Sequence, residues 1–581
     1  MHQNSLFTVT ELNPIPNTGW IAPKDFPRLE AAEAIAVDLE TYDPHLMTHG
    51  PGWGRGDGHI VGIAVGVPTG ERWYFPMRHE VGGGNLDPSM VLKWAARELG
   101  REHQPKIGAN LEYDTGWLAE EGVTVRGTLI DVQYAEPLLD EHRTSYSLDS
   151  LAETHLDEHK VDDALYAWLH RAYGGSKGRA QAANIYRAPA SLVGPYAEGD
   201  VDLPLRIWEK QRPMLEEQGL MELFRLECNL IPILMRMRMK GVRLDEQKLE
   251  QTIATMDGKR SDASKALRGL VGFDVDPNAP TTLVKAFDKL GLEYPTTPKG
   301  NPSFRKEFLD NHPHEIGHHI REVRRWETYA NFAASYRDKV DGNGCIHGSY
   351  HPLRGEGGGT VVGRLSSSNP NLTNIPVRDP EAKTLLRGLF LPSEGCRWRS
   401  RDFSQIQFRI MTHYAMGPGA EEARQRYINY PSTDYHDMAL EMTAPVAGWD
   451  IGTPEKFKAW RRPVKSINFA LAFTGGLPTL MKQLGKPKAE VEQLLNDYHA
   501  AMPFLKHTSD RIDKVAQERG YIRGVLGRRH RFPFWEPKCW ALRDYVTKDT
   551  NIDVVEQRIA ELIADPPAKL RGKRLFAGVK R

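Results

Sequence analysis

Ala34-Ile35-Ala36-Val37-Asp38-Leu39-Glu40 carries four small or apolar residues straight into an acid, an apolar residue and a second acid. After a Gly-, Pro- and His-rich loop to Gly58, Ile60-Val61-Gly62-Ile63-Ala64-Val65-Gly66-Val67 alternates apolar with small residues. Both stretches read as β-strands, the first ending in its acids. Carboxylates two residues apart on a strand project to one face, so Asp38 and Glu40 can reach the same cation. Helical patterns follow at Met90 to Leu99, Ser147 to Glu153 and Ala190 to Gln211, which makes the first part of the chain an α/β domain. A boundary is expected near the charged turn Glu216-Glu217-Gln218-Gly219.

Beyond that turn, Leu220 to Met239 reads as one long helix stopped by Gly241, and Val242 to Asp245 as a strand. A polar, helix-rich segment with little core of its own extends to about residue 335. The chain is glycine-rich from Gly355 to Gly363, then forms a strand from Arg397 to Asp402. Helices are expected at Gln405 to Ala415, Asp434 to Met442 and Lys465 to Phe473, and a short amphipathic one at Asp553 to Ala564.

At roughly 150 residues per domain, 581 residues suggest about four domains or fewer large ones. Hydrophobic residues at 40%, charged residues at 26% and a mean hydropathy of −0.52 exclude a disordered, collagen-like or disulfide-scaffold chain. Without an eighteen-residue apolar run or a signal-peptide start, a cytoplasmic protein with no membrane partner is expected. Cys228, Cys345, Cys396 and Cys539 lie too far apart to pair as metal ligands and read as reduced thiols. Net charge is zero, yet from Leu505 to Arg581 eighteen basic residues face ten acidic ones. That excess of eight suits a polyanionic partner.

Two further acidic pieces follow the first. In Asn110-Leu111-Glu112-Tyr113-Asp114, and again in Tyr196-Ala197-Glu198-Gly199-Asp200, the outer residues stand one helical turn apart. Asp38, Glu40, Asp114 and Asp200, taken in this order with Tyr196, resemble the DEDDy 3′–5′ exonucleases, the proofreading domain of family A DNA polymerases. The resemblance implies that the four carboxylates hold two divalent metals, Mg²⁺ with Mn²⁺ as an alternative, while Tyr196 orients the attacking water. Two cations suit a phosphodiester because attacking and leaving oxygens both need neutralising.

In the second half, Arg397-Trp398-Arg399-Ser400-Arg401-Asp402-Phe403-Ser404-Gln405-Ile406-Gln407-Phe408-Arg409 reads as a strand ending in an acid and leading directly into a helix. There Asp402 could hold a cation with its side chain and Phe403 with its carbonyl. Arg461, Lys465, Phe469 and Phe473 recur every four residues, so one helix face carries two cations and then two rings, which suits a triphosphate followed by a sugar and base. These stretches resemble motifs A and B of family A DNA polymerases, the family of bacterial DNA polymerase I. So do Gly363-Arg364-Leu365-Ser366-Ser367, Asn369-Pro370-Asn371-Leu372-Thr373-Asn374-Ile375-Pro376 and Asp434-Tyr435-His436.

The resemblance implies an RNase H-like α/β exonuclease domain followed by an α+β right-hand polymerase module of thumb, fingers and partial palm. The expected borders are 20–215 for the exonuclease, 216–245 for the base of the polymerase module and 246–335 for the thumb. The partial palm would cover 336–415, and the fingers with the basic C-terminal segment 416–581. It also implies that Asp402 ligates both catalytic metals and that His436, Arg461 and Lys465 hold the triphosphate of a dNTP. Lys465 would protonate the leaving pyrophosphate and Phe469 pack on the sugar. Arg364, Asn374, Arg528 and Arg529 would contact primer–template DNA. Gln407 stands where the family carries Glu and Phe473 where it carries Tyr, so bulk at the sugar gate is kept but the hydroxyl-to-carboxylate contact is lost.

No 5′-nuclease domain precedes Asp38, a layout more phage-like than bacterial. No His-Asp-Glu stretch, the family's motif C, follows Phe473. Since one carboxylate holds two Mg²⁺ ions poorly, weak or no synthesis is expected from these residues alone. Either a separately encoded palm fragment completes the enzyme, or only the exonuclease is retained. The alternatives are a 3′–5′ exonuclease with an inactive DNA-gripping remnant, and a non-enzymatic DNA-binding protein.

Overall fold

The computed structural model describes residues 13–532, except 144, 161–162, 177, 298–299, 354–359, 361, 378 and 473–476, together with a few positions between 557 and 565. Phe473, Cys539 and most of the helix expected at Asp553 to Ala564 lie outside the described residues. The chain forms two compact units, one up to Trp398 and one from Arg399.

The first unit is built on a five-stranded sheet of order β3-β2-β1-β4-β5. The strands are β1 (Ile35–Tyr42), β2 (His59–Gly66), β3 (Arg72–Pro76), β4 (Lys106–Gly108) and β5 (Leu129–Asp131). β1, β2 and β3 are antiparallel neighbours, whereas β4 and β5 run parallel to β1, the RNase H-like arrangement. The acids do not end β1, as the sequence suggested. Thr41 and Tyr42 keep their partners Ile60 and His59, so the ladder continues past Glu40 across a bulge.

Side-chain alternation sorts β1 between two cores. Ile35, Val37 and Leu39 pack with Ile63, Val65 and Phe75 on one face. Ala36 and Ala64 pack on the other with Leu192, Val193, Ala197 and Val201. The covering helices are α1 (Pro88–Leu99), α2 (Leu111–Glu120), α3 (Val132–Leu139), α4 (Leu148–Leu156), α5 (Asp163–Tyr173) and α6 (Ala190–Glu217). Asp38 and Glu40 share the even-numbered face with Ala36, the face covered by α6. Glu40 pairs with Gly62, where a Cβ would lie 2.1 Å from the Tyr74 hydroxyl. Only glycine leaves room for that ring.

The segment expected as one helix from Leu220 is two, α7 (Met221–Cys228) and α8 (Ile231–Lys240). Pro232 has no N–H to give to a preceding turn, so it sits in the first turn of a new helix. β6 (Val242–Leu244) then pairs with Cys345–Ile346 on one side and Phe390–Leu391 on the other. The following helices, α9 (Glu246–Val271), α10 (Pro280–Lys289), α11 (Lys306–Asp310) and α12 (Ile316–Arg337), do have a core, contrary to expectation. Leu267, Val271, Leu283, Phe287, Phe304, Leu309, Ile316 and Ile320 are buried together. Their spacing across separate helices hides the cluster within a polar stretch.

In the second unit, α13 (Ile406–Tyr414), α14 (Tyr435–Ala447), α15 (Pro454–Ala472), α16 (Lys488–Ala501) and α17 (Pro503–Arg519) frame a core containing Phe408, Tyr435, Met438, Leu440, Val464, Ile467, Tyr498 and Phe504. A hairpin, Tyr521–Arg523 with Arg529–Arg531, follows. Arg397 to Asp402 is not a strand. No described segment pairs with its backbone, and a strand without a ladder has nothing to hold it extended. Phe403 is 77% exposed, and Ile406, Ile410 and Tyr414 line one exposed face of α13. Among the described residues no helix is long and apolar enough to cross a membrane. Cys228, Cys345 and Cys396 are free thiols.

Candidate active site

The sheet and α6 build the acidic site in the first unit. Carboxylate oxygens of Asp38, Glu40 and Asp200 lie within 4.8 Å of one another. Asp200 and Tyr196 stand one turn apart on α6, and both side chains meet the Lys160 ammonium. Asp114 is buried on α2, takes the Leu39 backbone N–H, and lies close enough to Asp38 and Glu40 to feel their charge. Asn110 does not share a helix face with Asp114. It precedes α2 with φ of 70°, in the left-handed region that Asn tolerates.

Burial raises Asp38, Glu40 and Asp114 well above the usual carboxylate range, and the neighbouring carboxylates push each further. Lys160 counters this. Its Nζ donates to Asp200 Oδ2 at 2.5 Å and to the Tyr196 hydroxyl at 3.0 Å. Burial works against its charge, yet Asp200, Asp38 and Glu40 hold its pKa above the ordinary lysine value. Clustered, buried, hard oxygen donors fit a divalent cation, which removes the repulsion that raises these acids. Asp131 fixes the geometry from behind by accepting the N–H of Leu111 at 2.7 Å and that of Gln133 at 2.9 Å, which starts both α2 and α3.

The cationic and aromatic face in the second unit is assembled around His436. Its ring lies 5.0 Å from Phe408 and 5.2 Å from Phe469, and Lys465 Nζ stands 5.8 Å from the Phe469 centroid. Arg461 is already paired with carboxylates. One nitrogen lies 3.1 Å from Asp434 Oδ2, and Nε donates to Asp437. Gln405, at φ of 52°, donates to Asp434 at 2.6 Å and accepts the Tyr435 N–H at 2.7 Å, which ties the residues after Asp402 to the start of α14. Burial lowers the His436 pKa, as do Lys465 and Arg461, against the opposing pull of Asp434.

Asp402, Phe403, Gln407, Lys465 and Phe469 are exposed. Among the described residues Asp402 joins no grouping of three metal-ligating side chains. Arg364 and Asn374 are exposed in the first unit. Arg528 and Arg529 stand on the hairpin, Arg529 4.5 Å over the Tyr521 ring. Lys160, Asp131, Asn468 and Tyr498 escaped the sequence reading. Lys160 comes from the connection between α4 and α5, where no periodicity marks it.

A family model described as "DNA polymerase family A" matches residues 246–557, and one described as "3'-5' exonuclease" matches residues 25–216. A "DNA-directed DNA polymerase" of Pseudomonas phage M6 is 31% identical over 89% of this chain and 84% of its own length. The "DNA polymerase DpoZ" of Salmonella phage PMBT28 is 31% identical over 87% of this chain and 83% of its own. DNA polymerase I of Pseudomonas aeruginosa is 27% identical over 89% of this chain but 54% of its own length. The POL domain of Pol1 from M. smegmatis, solved with DNA primer-template and dNTP, shares the fold at a TM-score of 0.68 and 22% identity, covering 92% of this chain and 84% of that one. The chain belongs to the family A DNA polymerases, of the phage type that carries a 3′–5′ exonuclease domain.

Proposed function

We propose that the chain acts in DNA replication and removes 3′-terminal nucleotides at the site formed by Asp38, Glu40, Asp114 and Asp200. The grouping of Asp38, Glu40 and Asp200 oxygens within 4.8 Å carries this reading. Bound Mg²⁺, or Mn²⁺ in its place, supplies neutralisation of the scissile phosphate and a hydroxide-like water. Asp38, Glu40, Asp114 and Asp200 hold the cations, and the Tyr196 hydroxyl, braced by Lys160, positions the water. Purified chain with Mg²⁺ should shorten a 5′-labelled single strand one nucleotide at a time, and Asp38→Ala should stop it. An unchanged rate in Asp38→Ala would refute the assignment.

For synthesis, Arg364, Asn374, Arg528 and Arg529 grip primer–template while His436, Arg461 and Lys465 take the dNTP triphosphate. Lys465 gives the proton to pyrophosphate, Phe469 packs on the sugar, and Gln407 with Phe473 forms the sugar gate. Asp402, with the Phe403 carbonyl, is the palm carboxylate. The proposed segments remain 20–215 for the exonuclease, 216–245 and 246–335 for the base and thumb, 336–415 for the palm and 416–581 for the fingers and basic end.

We infer that synthesis needs a second palm carboxylate beside Asp402, supplied by a separately encoded palm fragment carrying a His-Asp-Glu hairpin. The exposed Phe403, Ile406, Ile410 and Tyr414 surface beside Asp402 supports this, since it offers such a segment an apolar seat. That Asp402 joins no grouping of three metal-ligating side chains among the described residues fits a second reading, an exonuclease whose polymerase part only grips DNA.

A further inference from the structure

His436 opens α14, and its ring is buried between Phe408 and Phe469. Its Nδ1 lies 2.8 Å from Asn468 Nδ2. Asn468 projects from α15 and is 2% exposed. Its Oδ1 accepts the hydroxyl of Tyr498, a fully buried residue of α16. Three helices therefore meet in one polar chain inside an otherwise apolar core, an arrangement that is stable only when each member is satisfied.

The chemistry of the amide decides the rest. Its nitrogen carries two protons, and its lone pair is delocalised into the carbonyl, so at His436 it can only donate. The acceptor Nδ1 then has no proton, and in a neutral ring the proton sits on Nε2. Burial and the cations Lys465 and Arg461 favour the neutral ring. We infer that Asn468, held by Tyr498, is a positioning residue that locks His436 as the Nε2–H tautomer, so that the imidazole donates a hydrogen bond to a nucleotide phosphate. The opposite tautomer would turn a lone pair toward a phosphate oxygen and repel it. This rests on the reading of His436, Arg461 and Lys465 as the triphosphate site.

Asn468→Asp reverses the lock while keeping size and the Tyr498 contact. A carboxylate accepts, so it draws the proton of neutral His436 to Nδ1 and leaves Nε2 bare. At low pH the ring gains a second proton and Nε2 donates again. The charged groups around the ring are Asp434, which caps α14, Asp437 on that helix, and Arg461 and Lys465 on α15. All four remain in the variant.

The test uses the full chain with ¹⁵N-labelled histidine. Long-range ¹H–¹⁵N correlation spectra, with His436 assigned by the signal lost in His436→Gln, should show a pyrrole-like Nε2 and a pyridine-like Nδ1 in the unsubstituted protein. Calorimetric titration with dTTP and Mg²⁺ should give Asn468→Asp an affinity near that of the unsubstituted protein at pH 6 and about tenfold weaker at pH 8.5, the size of one hydrogen bond to a charged acceptor. A protonated Nδ1 in the unsubstituted protein overturns the inference, as does an Asn468→Asp pH profile parallel to the unsubstituted one. A correct tautomer with no dTTP binding by the unsubstituted protein at either pH overturns instead the triphosphate reading on which it rests.

Discussion

Lys160 Nζ stands 2.5 Å from Asp200 Oδ2 and 3.0 Å from the Tyr196 hydroxyl, so one buried ammonium is shared between a proposed metal-binding carboxylate and the proposed water-positioning phenol. A cation that neutralises Asp200 competes with a metal for it, yet the same cation holds Tyr196 in place. Replacing it should separate these effects. Lys160→Met is expected to lower the maximal exonuclease rate about tenfold, a typical loss for one charge-assisted positioning contact, while shifting the Mg²⁺ activation midpoint to lower concentration. Nuclease assays across a Mg²⁺ series check both. A weaker Mg²⁺ midpoint would mean that Lys160 assists metal binding.

His79 offers a pH test one contact away from the acidic site, through Tyr74. Burial lowers its pKa to about 4, and its Nε2 lies 2.7 Å from the Tyr74 hydroxyl. The unfolded chain takes up a proton near pH 6.5 that the folded chain refuses until about pH 4, so the neutral ring stabilises the fold above pH 6.5 and this contribution is lost as pH falls. Between pH 7 and pH 5 the loss is about 2 kcal/mol. His79→Gln should flatten that part of the stability profile, as measured by denaturant melts at the two pH values.

Gly62 pairs with Glu40 and is overlain by the Tyr74 ring, with no room for a Cβ. Gly62→Ala should cost about 1–3 kcal/mol, the usual range for overpacking a tight site, and should also slow the exonuclease because it displaces the strand segment facing Glu40. Gly62→Ala combined with Tyr74→Ala, which removes the ring, should cost less in thermal melts than the two single changes added together. Simple additivity would place the clash elsewhere.

The basic residues assigned to DNA should differ from the acids in their salt response. Arg529→Ala and Arg364→Ala are each expected to weaken primer–template binding and to reduce the slope of log affinity against log salt by about 1, as loss of one phosphate contact requires. Fluorescence anisotropy over a salt series reads the slope directly. An unchanged slope removes the residue from the DNA path.

Primer extension in an Asp38→Ala background should give no product from these 581 residues alone. A supplied palm segment carrying a His-Asp-Glu hairpin should restore it. Extension without any addition would mean that a carboxylate other than Asp402 already completes the site.

The exonuclease was legible because its rules are local. A period of two puts Asp38 and Glu40 on one face, and a period near four aligns Tyr196 with Asp200. Lys160 was invisible, since a connecting segment between helices has no periodicity and only the folded chain carries it to α6. The stretch before Asp402 misled for the opposite reason. It reads as a strand ending in an acid, but strand formation depends on a partner, and none of the described residues supplies one. In the second unit, the stripe of Arg461, Lys465 and Phe469 announces itself by spacing. Asn468 sits three residues after Lys465 on the buried side, where the sequence offers no hint that it faces His436.

Arg461 also bears on how a nucleotide would be admitted. Its guanidinium is already in the company of Asp434 and Asp437, which fill the role of an anion before any ligand arrives. A triphosphate reaching this arginine trades places with those carboxylates and does not discharge an isolated cation. Affinity then depends on what the newcomer offers beyond negative charge, so a bare inorganic phosphate competes poorly with a molecule that also brings a sugar and a base to Phe469.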